Sequence, residues 1–381
     1  MRRWVRCLAL VTTLAGCADP GAASPSPIEG TPWSWDLPPL MPRPVVPADN
    51  PVTVEKVALG RRLFYDRRLS ADGTMACASC HEQRHGFATT ARADRGVRGD
   101  LLPRNSMSLA GVAYFPTLTW FNPALDTLER QALVPLFGDR PVELGLTGHE
   151  ARVLGLLRAD ERYRTLFADA FPSAADPFTI GHIVKAIASF ERTLISADSP
   201  YDRYLLGRTE ALSEAAQRGE ALFFSERLEC YHCHVGPMLT NAFRSVSTQT
   251  APRGFENNGL YNLDATGRYP DDNPGLSEFT RDPRDHGRMR IPSLRNVAVT
   301  APYMHDGSIA TLDGVIDHYA AGGTLRREGP NAGDGRANPN KSSLLRGFQL
   351  SAEERAELRA FLESLTDEGF LTDPRLAAPT D

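Results

Sequence analysis

Cys77-Ala78-Ser79-Cys80-His81 and Cys230-Tyr231-His232-Cys233-His234 constrain this chain more than any other feature. Both are C-x-x-C-H, the c-type haem attachment pattern. Two thiols three residues apart can each bond a vinyl-derived carbon on neighbouring pyrroles. The histidine after the second thiol is then carried beneath the iron as proximal ligand. A disulfide, a zinc site and a thioredoxin-like redox pair also use C-x-x-C, but none of them requires a histidine directly after the second cysteine. With six cysteines and nine histidines in 381 residues, chance placement yields roughly 0.002 such motifs. Two copies therefore point to two covalently bound c-type haems. Cys77 and Cys230 are 153 positions apart, which predicts one domain for each haem.

The other two cysteines belong to the N-terminus. Met1-Arg2-Arg3 and Arg6 make a positive start, followed by the apolar stretch Cys7 to Leu14 and then Ala15-Gly16-Cys17. The stretch is too short to span a bilayer and reads as an export signal. Leu14-Ala15-Gly16-Cys17 resembles the lipobox of bacterial lipoproteins, whose cysteine is lipidated and becomes residue one after cleavage. The alternative is a plain signal peptide with an incidental cysteine. The expectation is a lipoprotein-type signal over 1–17, a periplasmic protein, and membrane contact only through a lipid anchor. Residues 18–50, rich in Pro, Ala and Ser, read as a tether or arm.

Hydrophobic residues are 41% and charged residues 23% of the chain, the balance of a globular protein. Forty-two basic and 47 acidic side chains leave a net charge of −5, a field that favours neither nucleic acid nor an anionic membrane. The only long apolar run is N-terminal, which excludes a polytopic membrane protein. Helical patterning recurs along the body. Val57-Ala58-Leu59 with Leu63 and Phe64 leads into the first haem motif, and Leu212 to Phe224 into the second. Ile180, Ile183, Val184, Ile187 and Leu194 keep helical spacing after a Thr179 cap. Leu358, Phe361, Leu362 and Leu365 follow the capping-box signature Ser351-x-x-Glu354. Strand alternation is scarce. The fold expected is mainly α, with two cytochrome c-type haem domains over 51–205 and 206–372. Their boundary is expected near Ser199 to Ser213, where Asp198-Ser199-Pro200 interrupts the pattern.

Further motifs narrow the reading. Pro103-Arg104-Asn105-Ser106, Leu128-Glu129-Arg130-Gln131, Leu294-Arg295-Asn296-Val297 and Thr300-Ala301-Pro302-Tyr303-Met304-His305-Asp306-Gly307 resemble the bacterial di-haem cytochrome c peroxidase superfamily, over about residues 50–370. Trp33-Ser34-Trp35-Asp36-Leu37-Pro38, Leu118-Thr119-Trp120, Pro141-Val142-Glu143-Leu144-Gly145-Leu146 and Tyr319-Ala320-Ala321-Gly322-Gly323 are similar to its MauG-like branch. Within that branch they look most like the MbnH-like di-haem enzymes of methanobactin operons. The parent family removes peroxide with electrons from small redox proteins. The MauG-like branch oxidises tryptophan in a partner protein.

The resemblance assigns roles residue by residue. In the peroxidases a methionine ligates the second haem fourteen residues after the histidine of the Pro-Tyr-x-His stretch; fourteen from His305 is Tyr319, the residue type found in MauG. A thioether favours Fe(II), whereas an anionic phenolate favours higher oxidation states. His318 and Met304 are the competing ligands, but His318 points about 100° round a helix from Tyr319, so both cannot face one iron. Many relatives close the first haem at rest with a distal histidine; the matching position here is Val97, leaving an open iron, and His85 would have to cross to the other haem face. Glu143 matches the catalytic glutamate that moves a proton between the peroxide oxygens, with a raised pKa expected in an apolar pocket. Gln131 matches its distal glutamine, and Pro135 a proline that shapes the cavity. Trp120 matches the tryptophan between the haems. Asn105, Thr300 and Pro302 match a calcium site, where amide and carbonyl oxygens suit a hard cation.

One position departs from the branch. MauG has a tryptophan two residues before its second haem motif, used in passing holes to its partner; here that residue is Leu228. Trp33 and Trp35 offer another route or, more simply, staple the arm to the body. Asp271 to Arg290 is an interaction loop or solvated surface. The resemblance implies that hydrogen peroxide oxidises the His81 haem and that the second oxidising equivalent spreads through Trp120 to the His234/Tyr319 haem as a bis-Fe(IV) state. This state would oxidise a tryptophan of a partner, by the MbnH-like resemblance a small periplasmic copper-binding protein, to kynurenine. The alternatives are a peroxidase fed by a small redox protein and an electron-transfer di-haem cytochrome.

Overall fold

The computed structural model describes residues 29–248 and 253–380. The export signal and lipobox with Cys7 and Cys17 lie outside the described residues. Eleven α-helices follow one another among them: α1 Val54–Phe64, α2 Leu128–Phe137, α3 Glu150–Ala159, α4 Glu161–Ala170, α5 Ile180–Glu191, α6 Pro200–Leu205, α7 Glu214–Phe223, α8 Ser277–Thr280, α9 Leu312–Ala320, α10 Ala352–Glu363 and α11 Glu368–Thr372. Strand is confined to two antiparallel pairs, β1 Phe255–Asn257 with β2 Arg288–Arg290, and β3 Leu325–Arg326 with β4 Gly333–Asp334. The chain is mainly helical. Thr53, Thr127, Thr179, Ser213, Thr311 and Ser351 each accept a first-turn N–H and so start their helices. Ser351 and Glu354 close the capping box read from the sequence.

The same packing device occurs twice. α1 crosses α5 and α7 crosses α10, each through a glycine. A Cβ on Gly60 would lie 1.9 Å from the Ala186 carbonyl oxygen, and one on Gly219 would lie 2.0 Å from that of Glu357. Only a hydrogen fits, so the backbones approach closely. Each glycine-bearing helix runs towards a haem motif, Cys77–His81 after α1 and Cys230–His234 after α7. A buried apolar cluster surrounds each crossing. The first includes Leu59, Leu63, Phe64, Ile183, Ile187 and Phe190; the second includes Leu212, Phe223, Leu358, Phe361 and Leu362. α11 returns to the first cluster, where the Phe370 and Phe87 rings are 5.6 Å apart.

Two local readings change. Leu194 is fully buried but lies beyond the end of α5 at Glu191. Asp198-Ser199-Pro200 does interrupt the helical pattern, after the end of α5, and Ser199 forms a capping box with Asp202 that starts α6. Residues 271–290 are not solely solvated surface, since they contain α8 and β2, and Arg290 is 3% exposed. In the N-terminal arm, Trp33 and Trp35 pack on the first cluster, and the Trp33 N–H donates to the Val52 carbonyl at 3.1 Å. These indoles staple the arm to the body.

Candidate haem sites and the path between them

Each C-x-x-C-H motif folds as a single tight helical turn, Cys77–Ser79 and Cys230–His232. All four motif cysteines are free thiols rather than disulfides. The two histidines are held alike. His81 Nδ1 lies 2.9 Å from the Phe87 carbonyl oxygen and His234 Nδ1 lies 3.0 Å from that of Leu239. A carbonyl only accepts, so Nδ1 carries the proton and Nε2 presents its lone pair. Burial pushes both imidazoles below their ordinary range, His234 down to about 4, which keeps them neutral and able to ligate.

A cavity of about 430 Å³ lies over the second motif, with Cys230, Cys233 and His234 in its wall. Tyr319 from α9 lines it too. His318 turns away, its Nδ1 2.7 Å from Thr324 Oγ1. Met304 also lines the cavity, but its sulfur accepts the Asn258 amide at 3.2 Å. Burial pushes the Tyr319 phenol up to about 12, with the Cys233 thiol acting in the same direction and the Asn258 side chain against it. Arg290 and His305 share the wall, and each leaves a buried nitrogen without a hydrogen-bond partner, Nη1 and Nε2. No acidic side chain pairs with Arg290 among the described residues, and burial lowers it to about 9. A c-type haem fits these groups: two thiols, an imidazole lone pair, a phenol on the same cavity, and an unpaired guanidinium suited to a propionate.

The first motif gathers a different set. Glu143 acts electrostatically on both Cys77 and Cys80, so its carboxyl stands in the field of that motif. Burial raises its pKa, with Arg104 opposing and Asp94 reinforcing the shift. Backbone bonds hold its loop in place: the Val97 N–H donates to the Glu143 carbonyl at 2.7 Å, and the Leu144 N–H to that of Pro135 at 2.8 Å. Gly96 permits the approach, because a Cβ there would sit 1.7 Å from the Val142 carbonyl oxygen. Gln131 and Pro135 lie on α2, which the Leu144 bond ties to the glutamate loop. Val97 packs near Gly145. His85 is engaged elsewhere, Nδ1 with the Val299 carbonyl at 3.1 Å and Nε2 with Arg84 at 3.1 Å.

Trp120, Asn105, Thr300 and Pro302 line the cavity of the second motif. The Trp120 indole N–H donates to the Asn105 carbonyl at 2.9 Å, and the Asn105 N–H to the His305 carbonyl at 2.9 Å. The Asn105 amide donates to the Ala91 carbonyl at 2.9 Å, a residue of the first-motif segment. Ala301-Pro302 is a cis peptide. Leu228 is buried in the second cluster and lines the same cavity. Sequence reasoning missed Arg290, Asn258 and Arg104 as site groups. A buried arginine inside a charged, Pro-rich stretch gives no signal in one dimension.

The sequence profile of the di-haem cytochrome c peroxidase family matches residues 54–210. A cytochrome-c peroxidase, IdrP1, of Denitromonas iodatirespirans is 36% identical over 89% of this chain and 90% of its own. The methylamine utilization protein MauG of Methylorubrum extorquens is 32% identical over 96% of this chain and 93% of its own. A crystal structure of a MauG-like protein associated with microbial copper homeostasis superposes with a TM-score of 0.89 at 49% identity, covering 91% of this chain and 99% of that one. The chain belongs to the di-haem cytochrome c peroxidase and MauG family, and it is a haem oxidoreductase.

Proposed function

We propose that this protein uses hydrogen peroxide to oxidise a tryptophan on a partner protein, rather than reducing peroxide with electrons from a small carrier. The observation that carries the reading is Tyr319 in the cavity wall with His234, where a peroxidase of the family has methionine. Bound haem would supply the redox chemistry, a two-electron oxidation by peroxide that releases water. The residues that would hold the haems are Cys77, Cys80 and His81 at the first motif and Cys230, Cys233, His234 and Tyr319 at the second. Glu143 takes the proton from the near peroxide oxygen and returns it to the far one, with Gln131 beside it. Its raised pKa suits a group that must both accept and donate. Trp120 carries oxidising equivalents between the two sites, and its N–H bond to Asn105 fixes the indole. Asn105, Thr300 and Pro302 would hold calcium through amide and carbonyl oxygens.

The partner is a small periplasmic copper-binding protein and the product kynurenine. The copper-homeostasis association of the MauG-like neighbour supports this choice. Location in the periplasm, with an anchor at Cys17, goes with that partner. Frozen-solution EPR of the ferric protein tests the reading. One high-spin and one low-spin signal are expected, both lost together on peroxide addition before any organic radical appears. Mass spectrometry of the partner then reads its tryptophan. The peroxidase reading, favoured by the similarity to IdrP1, predicts two low-spin signals indifferent to peroxide until half reduction, and rapid turnover with a reduced cytochrome.

A further inference from the structure

Trp120 and His305 line the cavity of the second motif, and an aromatic cluster continues from them to Tyr261 and Tyr269, which do not line it. The Trp120 indole meets the His305 imidazole edge-on with ring centroids 6.4 Å apart. His305 lies 6.4 Å from Tyr261 and 6.1 Å from Tyr269, and the two phenol rings are 5.4 Å apart. Both tyrosines are buried in one cluster, with Trp120 packed against it. They differ in what can receive their protons. The Tyr269 hydroxyl donates to the Asn257 amide oxygen at 2.9 Å, which cannot take a proton. The Tyr261 hydroxyl donates to the Asp306 carboxylate, which can. The other Asp306 oxygen accepts the Ser308 N–H at 3.1 Å, so the carboxylate is fixed in place. The Arg326 guanidinium lies over the Tyr261 ring, 4.5 Å from its centroid. A cation there opposes positive charge on the ring, so an electron leaves Tyr261 only as its proton leaves too.

We propose that Tyr261 and Asp306 form a redox-active pair that accepts an oxidising equivalent from Trp120 by way of His305. Tyr261 gives one electron to the Trp120 radical cation, which has kept its N–H on the Asn105 carbonyl and so returns directly to neutral indole. The Tyr261 O–H bond breaks and its proton passes to Asp306, leaving a neutral tyrosyl radical and a carboxylic acid. Hydrogen peroxide is the ultimate oxidant. The inference rests on Trp120 carrying oxidising equivalents, and it leads them towards the part-exposed Arg326 of β3 rather than towards Leu228. The pair fills when no partner protein is present to be oxidised.

The test is freeze-quench EPR of the full-length di-haem protein after peroxide, without partner, in protein carrying ring-deuterated tyrosine or not. A deuteration-sensitive radical is expected to grow as one of the two ferric equivalents is recovered. It is expected to vanish in Tyr261→Phe and to persist in Tyr269→Phe. Asp306→Asn keeps an acceptor of the same shape but cannot take the proton, and should slow radical growth at least tenfold. Growth should also slow in D2O, while the initial loss of the ferric signals should not. Loss and return of both ferric signals with no such radical, and at equal rates in wild type and Tyr261→Phe, would overturn the pair and leave the proposed function standing. A radical that survives Tyr261→Phe also overturns it. Ferric signals indifferent to peroxide would sink the proposed function and the pair together.

Discussion

With Tyr319 as the proposed ligand, a phenol and a thioether at position 319 would pull the second haem in opposite directions. Oxygen stabilises the higher oxidation state and sulfur the lower, so Tyr319→Met should raise the potential of that haem by on the order of hundreds of millivolts. A spectroelectrochemical titration reads the shift, and partner oxidation should fall with it. Glu143→Gln keeps the shape of the side chain and removes its proton transfer. The rate of reaction with peroxide should drop by about 100-fold or more, measured by stopped flow. The pH dependence has a definite sign. Glu143 starts the transfer ionised and burial raises its pKa, so the wild-type rate rises with pH through that raised value and falls below it. The variant should lose this limb. At the residue scale, the cysteines and histidines of the two C-x-x-C-H motifs were legible because the attachment pattern is confined to five residues. Tyr319 and Glu143 were legible only through resemblance. Arg290 and His305 were not, since each gains its meaning from a buried nitrogen that lacks a partner.

At the scale of elements, the two glycine crossings position both motifs. Gly60→Ala places a methyl group against the Ala186 carbonyl, so α1 must move off α5 at a cost of about 1–3 kcal/mol or more. Denaturant unfolding of the loaded protein measures the loss, and absorption of the first haem should shift before that of the second. The helices themselves were readable from apolar spacing and caps: Thr179 opens α5 and Ser351 with Glu354 opens α10. The start of α6 at Ser199 was not read, because Asp-Ser-Pro serves equally as a break in the pattern and as a helix start. Asp202 three residues on decides it, by closing the capping box and pairing bidentately with buried Arg295. The register of β2 was not readable either. Three residues without alternation leave no periodic trace.

Across the whole molecule, a buried polar knot joins the two clusters. Asp367 accepts from the Ala197 N–H at 2.9 Å, the Asp198 N–H at 3.0 Å and the Ser196 hydroxyl at 3.2 Å. Asn296, itself fully buried, accepts the Asp367 N–H at 2.8 Å and donates to Ser196 at 3.0 Å. These bonds tie the segment after α5, the Leu294-Arg295-Asn296-Val297 motif and the start of α11. Asp367→Ala strands several buried donors, at a cost on the order of 3 kcal/mol or more. Calorimetry should show a lower midpoint and a broadened transition as the clusters lose their coupling. The sequence by itself determined the helical class and the family and exposed the two C-x-x-C-H motifs, because such motifs and helix caps are local. Only the tertiary structure decided which side chains meet. It set Tyr319 rather than His318 on the His234 cavity, brought Asn105, Trp120 and His305 into one chain of hydrogen bonds, and buried Arg290 beside them. Such meetings depend on long-range packing, in which residues scores of positions apart share one dry volume and an unpaired charge must find its counterpart there.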